Sequence, residues 1–431
     1  MSFRRGLKRG LSGGAVKRSL DPRLQQRPRA TASSAGCGAG AAEVIIAGGG
    51  PAGLFSSFLL ARAGIKSTVL EKAERTEDYS SRSYTIVLNE RGKGALLSGS
   101  PLFSKLLEAG SERRFVYMID GRTGSESKIP KNPPGVGFTR PQLVRLLEAE
   151  VEGEPLVKLS RGSGVTAVTE SADTGFLRVH LDDGSELKAT HVIGCDGKWS
   201  KVRQSLPSFR GAAEITSVPS FGVHATTDAP KGWSRDGTHV IKGSSDLFYV
   251  IASPLPGDRR SLTIVCKEKI AQTHPWLRPA EVDGPAAENW EGDCAEPEFK
   301  LLERLEGLLR DELPAFDIGA GLRGGHINRR ASWLRWKGEE VTFSSEGGRV
   351  ALIGDAAHAM TASVGEGCNC ALESAARLAE AVVAEMKAEA SETCSASAMS
   401  KAFVSYGLAR PGEVVPVQET SATRNGWKKE I

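Results

Sequence analysis

Val44-Ile45-Ile46-Ala47 is a short, wholly apolar run that feeds directly into Gly48-Gly49-Gly50-Pro51-Ala52-Gly53. A helical pattern follows, with Leu54, Phe58, Leu59 and Ala63 on one face and Gly64 closing it. Thr68-Val69-Leu70 is a second apolar strand, and it ends at Glu71. Strand, glycine turn, helix and strand in that order predict a βαβ unit with a parallel pair. Each glycine has a job in such a unit. Gly48 allows the tight turn, Gly50 lets a pyrophosphate approach the backbone, and Gly53 lets helix and strand pack closely. The helix N-terminus then faces the phosphates, and the Glu71 carboxylate takes the ribose hydroxyls. Three glycines can also be a plain turn; the flanking strand and helix and the acid about 20 residues on argue for a dinucleotide. FAD and NAD satisfy the unit equally.

Further along, the pattern changes. Phe176 to Leu181 alternates at period two and Asp183-Gly184 is a hairpin turn, so a small antiparallel sheet is expected between about 155 and 195. Its last limb runs through His191-Val192-Ile193-Gly194 into Cys195-Asp196-Gly197. From about 215 to 345 more strands recur, among them Leu247 to Ala252 and Ser261 to Cys266, with no second glycine fingerprint. Arg349 to Ile353 is another buried strand, ending at Gly354-Asp355, and an Ala-rich helix is expected from about Asn369 to Lys387. The expected fold is α/β: a Rossmann-like FAD-binding domain with a parallel sheet, spanning 41–210 and 345–395, plus a mostly antiparallel substrate-binding domain over 211–344. Residues 396–431 are a short C-terminal segment in this reading.

The downstream motifs decide between the two dinucleotides. Gly194-Cys195-Asp196-Gly197 followed by Ser200 and Arg203, and Gly354-Asp355-Ala356-Ala357-His358 followed by Gly365-Glu366-Gly367-Cys368-Asn369, resemble the second and third fingerprints of the flavoprotein hydroxylases, the FAD-dependent aromatic-ring monooxygenases. All three fingerprints come in family order. The resemblance implies that Asp355 bonds a ribityl hydroxyl of FAD and that Gly365, Gly367 and Asn369 form the turn and helix start beneath the flavin ring. Helix-terminal amides there would stabilise negative charge on the ring. It also implies that Asp196 and Gly197 support the pyrophosphate and the docking of NADPH or NADH, and that Arg140 reaches the cofactor. Structural alternatives stand beside these roles: Asp355 as a helix N-cap, Asp196-Gly197 as a simple turn, and His358 as a packing histidine.

Within that family the kynurenine 3-monooxygenases are most similar, on Arg82-Ser83-Tyr84-Thr85-Ile86-Val87-Leu88, Arg91-Gly92 and Ala95-Leu96. Arg82 joins the cofactor-binding set on that basis. Departures fall on the substrate side. The family's carboxylate-binding arginine aligns at Tyr117, with Arg114 nearby, and its substrate-side tyrosine aligns near Lys131. The usual proline and glutamine around the flavin turn are Ala362 and Glu366. The resemblance implies a small aromatic substrate, O2, and NADPH or NADH as transient reductant. An FAD-dependent reductase or epoxidase of the same fold, or a non-catalytic FAD-binding protein, are the competing functions, and the catalytic residues and oligomeric state are left open.

Composition sets the outer limits. Over 431 residues, 40% are hydrophobic and 25% charged, an ordinary globular balance with room for two domains. The net charge of +4 is misleading, because residues 1–40 hold nine Lys/Arg against Asp21, so the remainder is mildly acidic. That excludes an electrostatic footprint for nucleic acid. The basic, acid-poor leader reads as an organellar transit peptide, plastid or mitochondrial, with a basic tail on a cytoplasmic protein as the alternative. No apolar run reaches the length of a transmembrane segment. Seven irregularly spaced cysteines suggest neither a disulfide framework nor a metal site.

Overall fold

The computed structural model describes residues 43–76, 85–96, 101–170, 175–243, 245, 247–255, 258–267, 269–277, 298–316, 322–338 and 340–424, with Asp21 and Leu24 ahead of them. The leader and Arg82 therefore lie outside the described residues. The predicted βαβ unit is present as β1 (Val44–Ala47), α1 (Pro51–Arg62) and β2 (Ser67–Glu71). β1 is the centre of a five-stranded, all-parallel sheet in the order β16-β10-β1-β2-β6, where β6 is Val157–Arg161, β10 is His191–Gly194 and β16 is Val350–Leu352. The strands of β1, β10 and β16 are buried throughout, as expected for a parallel sheet covered on both faces.

Register matters more here than strand count. Ala47 pairs with Gly194, and Gly194 with Leu352, so three strands end level with one another. The segments that leave them are Gly48-Gly49-Gly50, Cys195-Asp196-Gly197 and Ile353-Gly354-Asp355. Three motifs far apart in sequence thus emerge at one carboxyl edge, which is where open α/β sheets bind ligands.

Eleven of the twelve α1 residues are buried, because the helix is enclosed between the sheet, α4 (Arg140–Glu152) and α8 (Gly367–Ala388). Leu54, Phe55, Phe58 and Leu59 are fully inside, each contributing about 2 kcal/mol of burial. A capping box at Thr139, with Gln142 answering it and Pro141 in the first turn, starts α4 at Arg140. The expected small antiparallel sheet is β7 (Val165–Glu170), β8 (Leu177–Leu181) and β9 (Glu186–Ala189).

The second large sheet has eight strands in the order β15-β11-β14-β13-β12-β4-β5-β3. Its members are β3 (Thr85–Leu88), β4 (Ser111–Asp120), β5 (Glu126–Thr139), β11 (Ala213–Asp228), β12 (Gly237–Lys242), β13 (Phe248–Leu255), β14 (Arg259–Lys267) and β15 (Arg323–Trp336). Only β12 and β4 pair in parallel. This corrects the expected division at residue 211: β3, β4 and β5 lie inside the stretch assigned to the FAD domain, yet they extend the eight-stranded sheet. The β4–β12 pairing, with Phe115 opposite Gly237 and Asp120 opposite Lys242, is what recruits them. Such a pairing spans over a hundred residues of sequence, so no local pattern announces it. One face of the sheet is covered by α6 (Glu298–Glu312), whose Leu305, Leu308 and Leu309 pack on Val223, Ile241, Val250, Leu262 and Ile264.

The C-terminal stretch also differs from expectation. It is a long helix, α9 (Ala396–Arg424), that continues through Pro411 and Pro416. Proline lacks the N–H that would bond the carbonyl four residues earlier. That carbonyl, on Gly407, instead accepts from the Phe343 amide at 3.0 Å. Phe403, Tyr406 and Val414 bury against the parallel sheet's core, and Tyr406 donates to the Leu352 carbonyl at 3.1 Å. Among the described residues, no helix is long and apolar enough to cross a membrane.

Candidate functional site

The first turn closes because its glycines have no side chains. Gly48 sits at φ +104°, and a Cβ there would lie 2.4 Å from the Cys195 carbonyl oxygen, so the turn is pressed against the second motif. A Cβ on Gly53 would lie 1.9 Å from the Gly48 oxygen. At Gly50 the situation reverses: a Cβ would meet nothing within 4 Å, and α1 begins there without a side-chain cap or an acid in its first turn. Helix-terminal amides therefore face open space, the arrangement that receives a phosphate.

Glu71 is 6% exposed and accepts from the Gly49 amide at 2.7 Å and the Ala73 amide at 2.8 Å. A cleft joins Gly49, Gly50 and Glu71 to Arg140, Thr76 and Arg161. Thr76 and Arg161 were not visible as site residues in the sequence. They are brought in by Glu148 on α4, which accepts from the Thr76 hydroxyl at 2.7 Å and pairs with Arg161.

The third motif meets the first through Gly354, where a Cβ would lie 3.1 Å from that of Ala52 on α1. Asp355 opens α7 (Asp355–His358), but the N-cap is Gly354 and there is no side-chain cap. The capping alternative for Asp355 is thereby removed. Asp355 is exposed between the buried Gly354 and Ala356. Burial pushes its carboxyl up, with Lys198 and Arg140 pulling it down. Arg140, named from the first cleft, thus also acts on the third motif.

Asp196 serves differently from expectation. Its Oδ2 accepts from the Lys201 and Val202 amides at 2.6 and 3.1 Å, which anchors α5 (Lys201–Ser205), while Oδ1 is buried without a hydrogen bond. Burial pushes this carboxyl up. Gly197 makes the turn at φ +85°. Arg203 then braces the second motif to the third, donating to the Ala356 and Lys198 carbonyls, each at 2.6 Å.

The flavin turn is Gly365 in the left-handed region, Glu366, and Gly367 opening α8. Asn369 is fully buried and is committed to protein: Oδ1 accepts from the Asn89 amide at 3.1 Å, and Nδ2 donates to the Val87 and Gly365 carbonyls, each at 3.0 Å. It clamps the turn to β3 and to α2 (Glu90–Ala95). His358 is a packing histidine, as expected: its Nε2 bonds the Ser374 hydroxyl at 2.8 Å, and burial pushes its pKa down to about 3. Cys368 and Cys370 are thiols that burial pushes up to about 12.

Both substrate-side candidates are corrected. Tyr117 is 5% exposed and shares its strand face with Ile119, which packs in the core under α6. Its hydroxyl donates to Asp236 at 2.8 Å, and its ring stacks on His239 at 4.6 Å. Period-two alternation turns it away from the opposite face. Arg114 is at the surface, bonded to Glu112 at 2.5 Å. The opposite face bears half-buried Val116, Met118, Val240, Ile251 and Val265, with Lys131 on β5.

The residues present fit an FAD. Gly50 leaves room for a pyrophosphate at a bare helix end, Glu71 stands beside it in the cleft for a ribose, and Asp355 leaves the same carboxyl edge of the sheet for a hydroxyl-bearing chain. Comparison with known proteins agrees. The family model described as an FAD binding domain matches residues 41–284 and 331–402. A kynurenine 3-monooxygenase of Salinispora arenicola is 28% identical over 366 residues, covering 79% of this chain and 72% of the relative. Monooxygenase 1 of Arabidopsis thaliana is 34% identical over 173 residues, but the match takes in only 38% of this chain and 40% of that protein. Among solved structures, Klebsiella pneumoniae HpxO complexed with FAD and uric acid superposes with a TM-score of 0.65 at 18% identity, covering 89% of this chain and 88% of that one. Pseudomonas aeruginosa PqsL in complex with 2-aminobenzoylacetate gives 0.61 at 20% identity, covering 89% and 94%. These two likenesses show the fold. The chain belongs to the FAD-binding-domain family of flavoprotein monooxygenases.

Proposed function

We propose that this protein hydroxylates a small aromatic substrate, using FAD, O2 and NADH or NADPH. The observation that carries the reading is the convergence of the Gly48–Gly53 turn, the Cys195–Gly197 turn and Asp355 on one carboxyl edge, imposed by the Ala47–Gly194–Leu352 register. Relatives named as kynurenine 3-monooxygenases support an aromatic substrate.

In this reading bound FAD supplies the redox chemistry, taking electrons from the nicotinamide and using O2 to provide the inserted oxygen. The chain's own residues bind, orient and exclude water. The first-turn amides of α1 hold the phosphates, Glu71 the ribose, and Asp355 the ribityl chain. The α8 N-terminus offers partial positive charge to the ring. The apolar face of the antiparallel sheet, with Val116, Met118, Val240 and Ile251, keeps water from the reacting atoms, which limits loss of reducing equivalents to peroxide.

The test is NADPH oxidation by purified, flavin-loaded protein against a panel of aromatic acids and amines, with O2 uptake and product mass followed together. Stimulated oxidation coupled to a product bearing one added oxygen supports the reading. Oxidation without oxygen insertion points to a reductase, and turnover no faster than free flavin to a non-catalytic protein. For location, we propose import into an organelle through residues 1–40. A reporter fused to those residues that stays in the cytoplasm would sink this.

A further inference from the structure

We propose that Glu366, opposed by Lys131, sets the reduction potential of flavin bound at the Gly365–Gly367 turn and makes that potential depend on pH. The inference rests on the flavoprotein reading above and deepens it. Glu366 occupies the N-cap position of α8, between the two glycines of the turn, where a helix start otherwise offers partial positive charge. A carboxylate at that point offsets it.

The side chain is held in place. Its Oε1 accepts from the Asn89 side chain at 2.6 Å, while Oε2 lies 3.5 Å from Arg91 Nε and is buried without a hydrogen bond of its own. Arg91 does not simply neutralise Glu366, because it is shared: its NH1 bonds Glu373 at 2.5 Å. Glu373 in turn accepts from Arg410 at 2.7 Å, and Arg410 pairs with Glu413 at 2.5 Å. The chain of charges runs from the turn along α8 to α9, where Arg377 also reaches Glu413 at 3.6 Å, and at the turn end Glu366 has to share Arg91 with Glu373.

Lys131, on β5 of the antiparallel sheet, lies within electrostatic reach of it. β5 is drawn to this region by Lys93, whose ammonium donates to the Pro134 carbonyl at 2.7 Å, and by Gly135, where a Cβ would lie 2.7 Å from Val87. Lys131 makes no ion pair within 4.0 Å among the described residues, yet its charge is felt by Glu366 and Glu366's by it. The groups facing the Glu366 carboxyl are therefore Asn89 and Arg91 from α2 and its cap, Glu373 and Cys370 from α8, and Lys131 from β5. Burial pushes the carboxyl up and Glu373 adds to this, against Arg91, Asn89 and Lys131.

Reduction adds negative charge to the flavin. In a partly desolvated site a fixed carboxylate opposes that charge and a fixed ammonium favours it. When Glu366 is neutral, at low pH, it is nearly isosteric with glutamine. As pH rises through its elevated titration range, the ionised form makes reduction harder.

The experiment is spectroelectrochemical titration of the flavin-loaded protein and of Glu366→Gln, Lys131→Met and Glu373→Gln across pH. The expected result is a higher midpoint potential in Glu366→Gln, merging with wild type at low pH and diverging as pH rises. Lys131→Met shifts it the opposite way, and Glu373→Gln, one link further from the turn, shifts it less than Glu366→Gln. Equal potentials for wild type and Glu366→Gln at every pH, an upward shift in Lys131→Met, or an equal shift in Glu373→Gln would each overturn the assignment. Protein that carries no flavin absorbance overturns the flavoprotein reading with it, so the two failures are distinguishable.

Discussion

Replacing Asn369 with alanine tests whether this residue holds the flavin turn or merely lines it. Three hydrogen bonds are lost at a fully buried position: one from the Asn89 amide and two to the Val87 and Gly365 carbonyls. At about 1 kcal/mol net for each, the loss is about 3 kcal/mol, and more where the abandoned groups find no water. The void does not collapse readily, because Gly92 on the opposing helix has no side chain to fill it; a Cβ there would lie 2.2 Å from Asn369 Oδ1. Asn369→Asp should cost at least as much, since a carboxylate cannot donate to the two carbonyls. The assay is urea denaturation of the apoprotein, together with amide exchange across residues 85–96 and 362–370. Faster exchange confined to those two segments, and weaker FAD binding through a loosened turn, are expected. A stability loss under about 0.5 kcal/mol, with exchange unchanged, would refute the clamp.

Asp355→Ala should lower FAD retention without harming the apoprotein, because the side chain is exposed and makes no cap; full retention would mean the carboxylate does not face the cofactor. In Gly53→Ala the new methyl must displace the Gly48 carbonyl, at a cost of about 1–3 kcal/mol, and flavin content after purification should fall sharply; a protein that stays yellow would show that the turn tolerates rearrangement. His358 carries a pKa of about 3 in the folded protein, against about 6.5 when unfolded. The unfolded chain therefore binds the extra proton between those values, so stability is full above about pH 6.5 and falls by about 1.4 kcal/mol per unit as pH drops toward the folded value. His358→Gln should flatten that acid limb, and an unchanged slope would remove His358 as its source. Tyr117→Phe should leave substrate-stimulated NADPH oxidation intact while costing about 1 kcal/mol of stability from the Asp236 hydrogen bond; loss of stimulation would restore Tyr117 to the substrate side.

What could be read in advance was local or periodic. The βαβ unit is legible because apolar strands, a glycine turn and a 3.6-residue period occupy one short window, and the structure places β1, α1 and β2 within a few residues of expectation. Gly48, Gly50 and Gly53 were legible for the same reason, each required by a close approach or an open helix end. Arg161 and Thr76 were not, since their place in the cleft depends on Glu148, which lies on a separate helix and 72 residues from Thr76. Tyr117 was misplaced because alignment gives a position on a strand and not the face it presents. Which face is buried under α6 is settled by Ile119 and Ile241, packed from separate strands.

By itself, then, the chain determines the βαβ unit and the identity of a dinucleotide-binding turn, because backbone sterics and side-chain periodicity act over a few residues; the long helix α9 through Pro411 and Pro416 was not among the elements it announced. Only the folded structure decides that Asp196 anchors a helix while Asp355 stays exposed and caps nothing, and that Asn369 is a clamp. It alone shows that β3, β4 and β5 belong to the eight-stranded sheet. These outcomes depend on strand register and on which buried polar atoms find partners. Those partners come from segments up to hundreds of residues away, as Asn89 and Asn369 do.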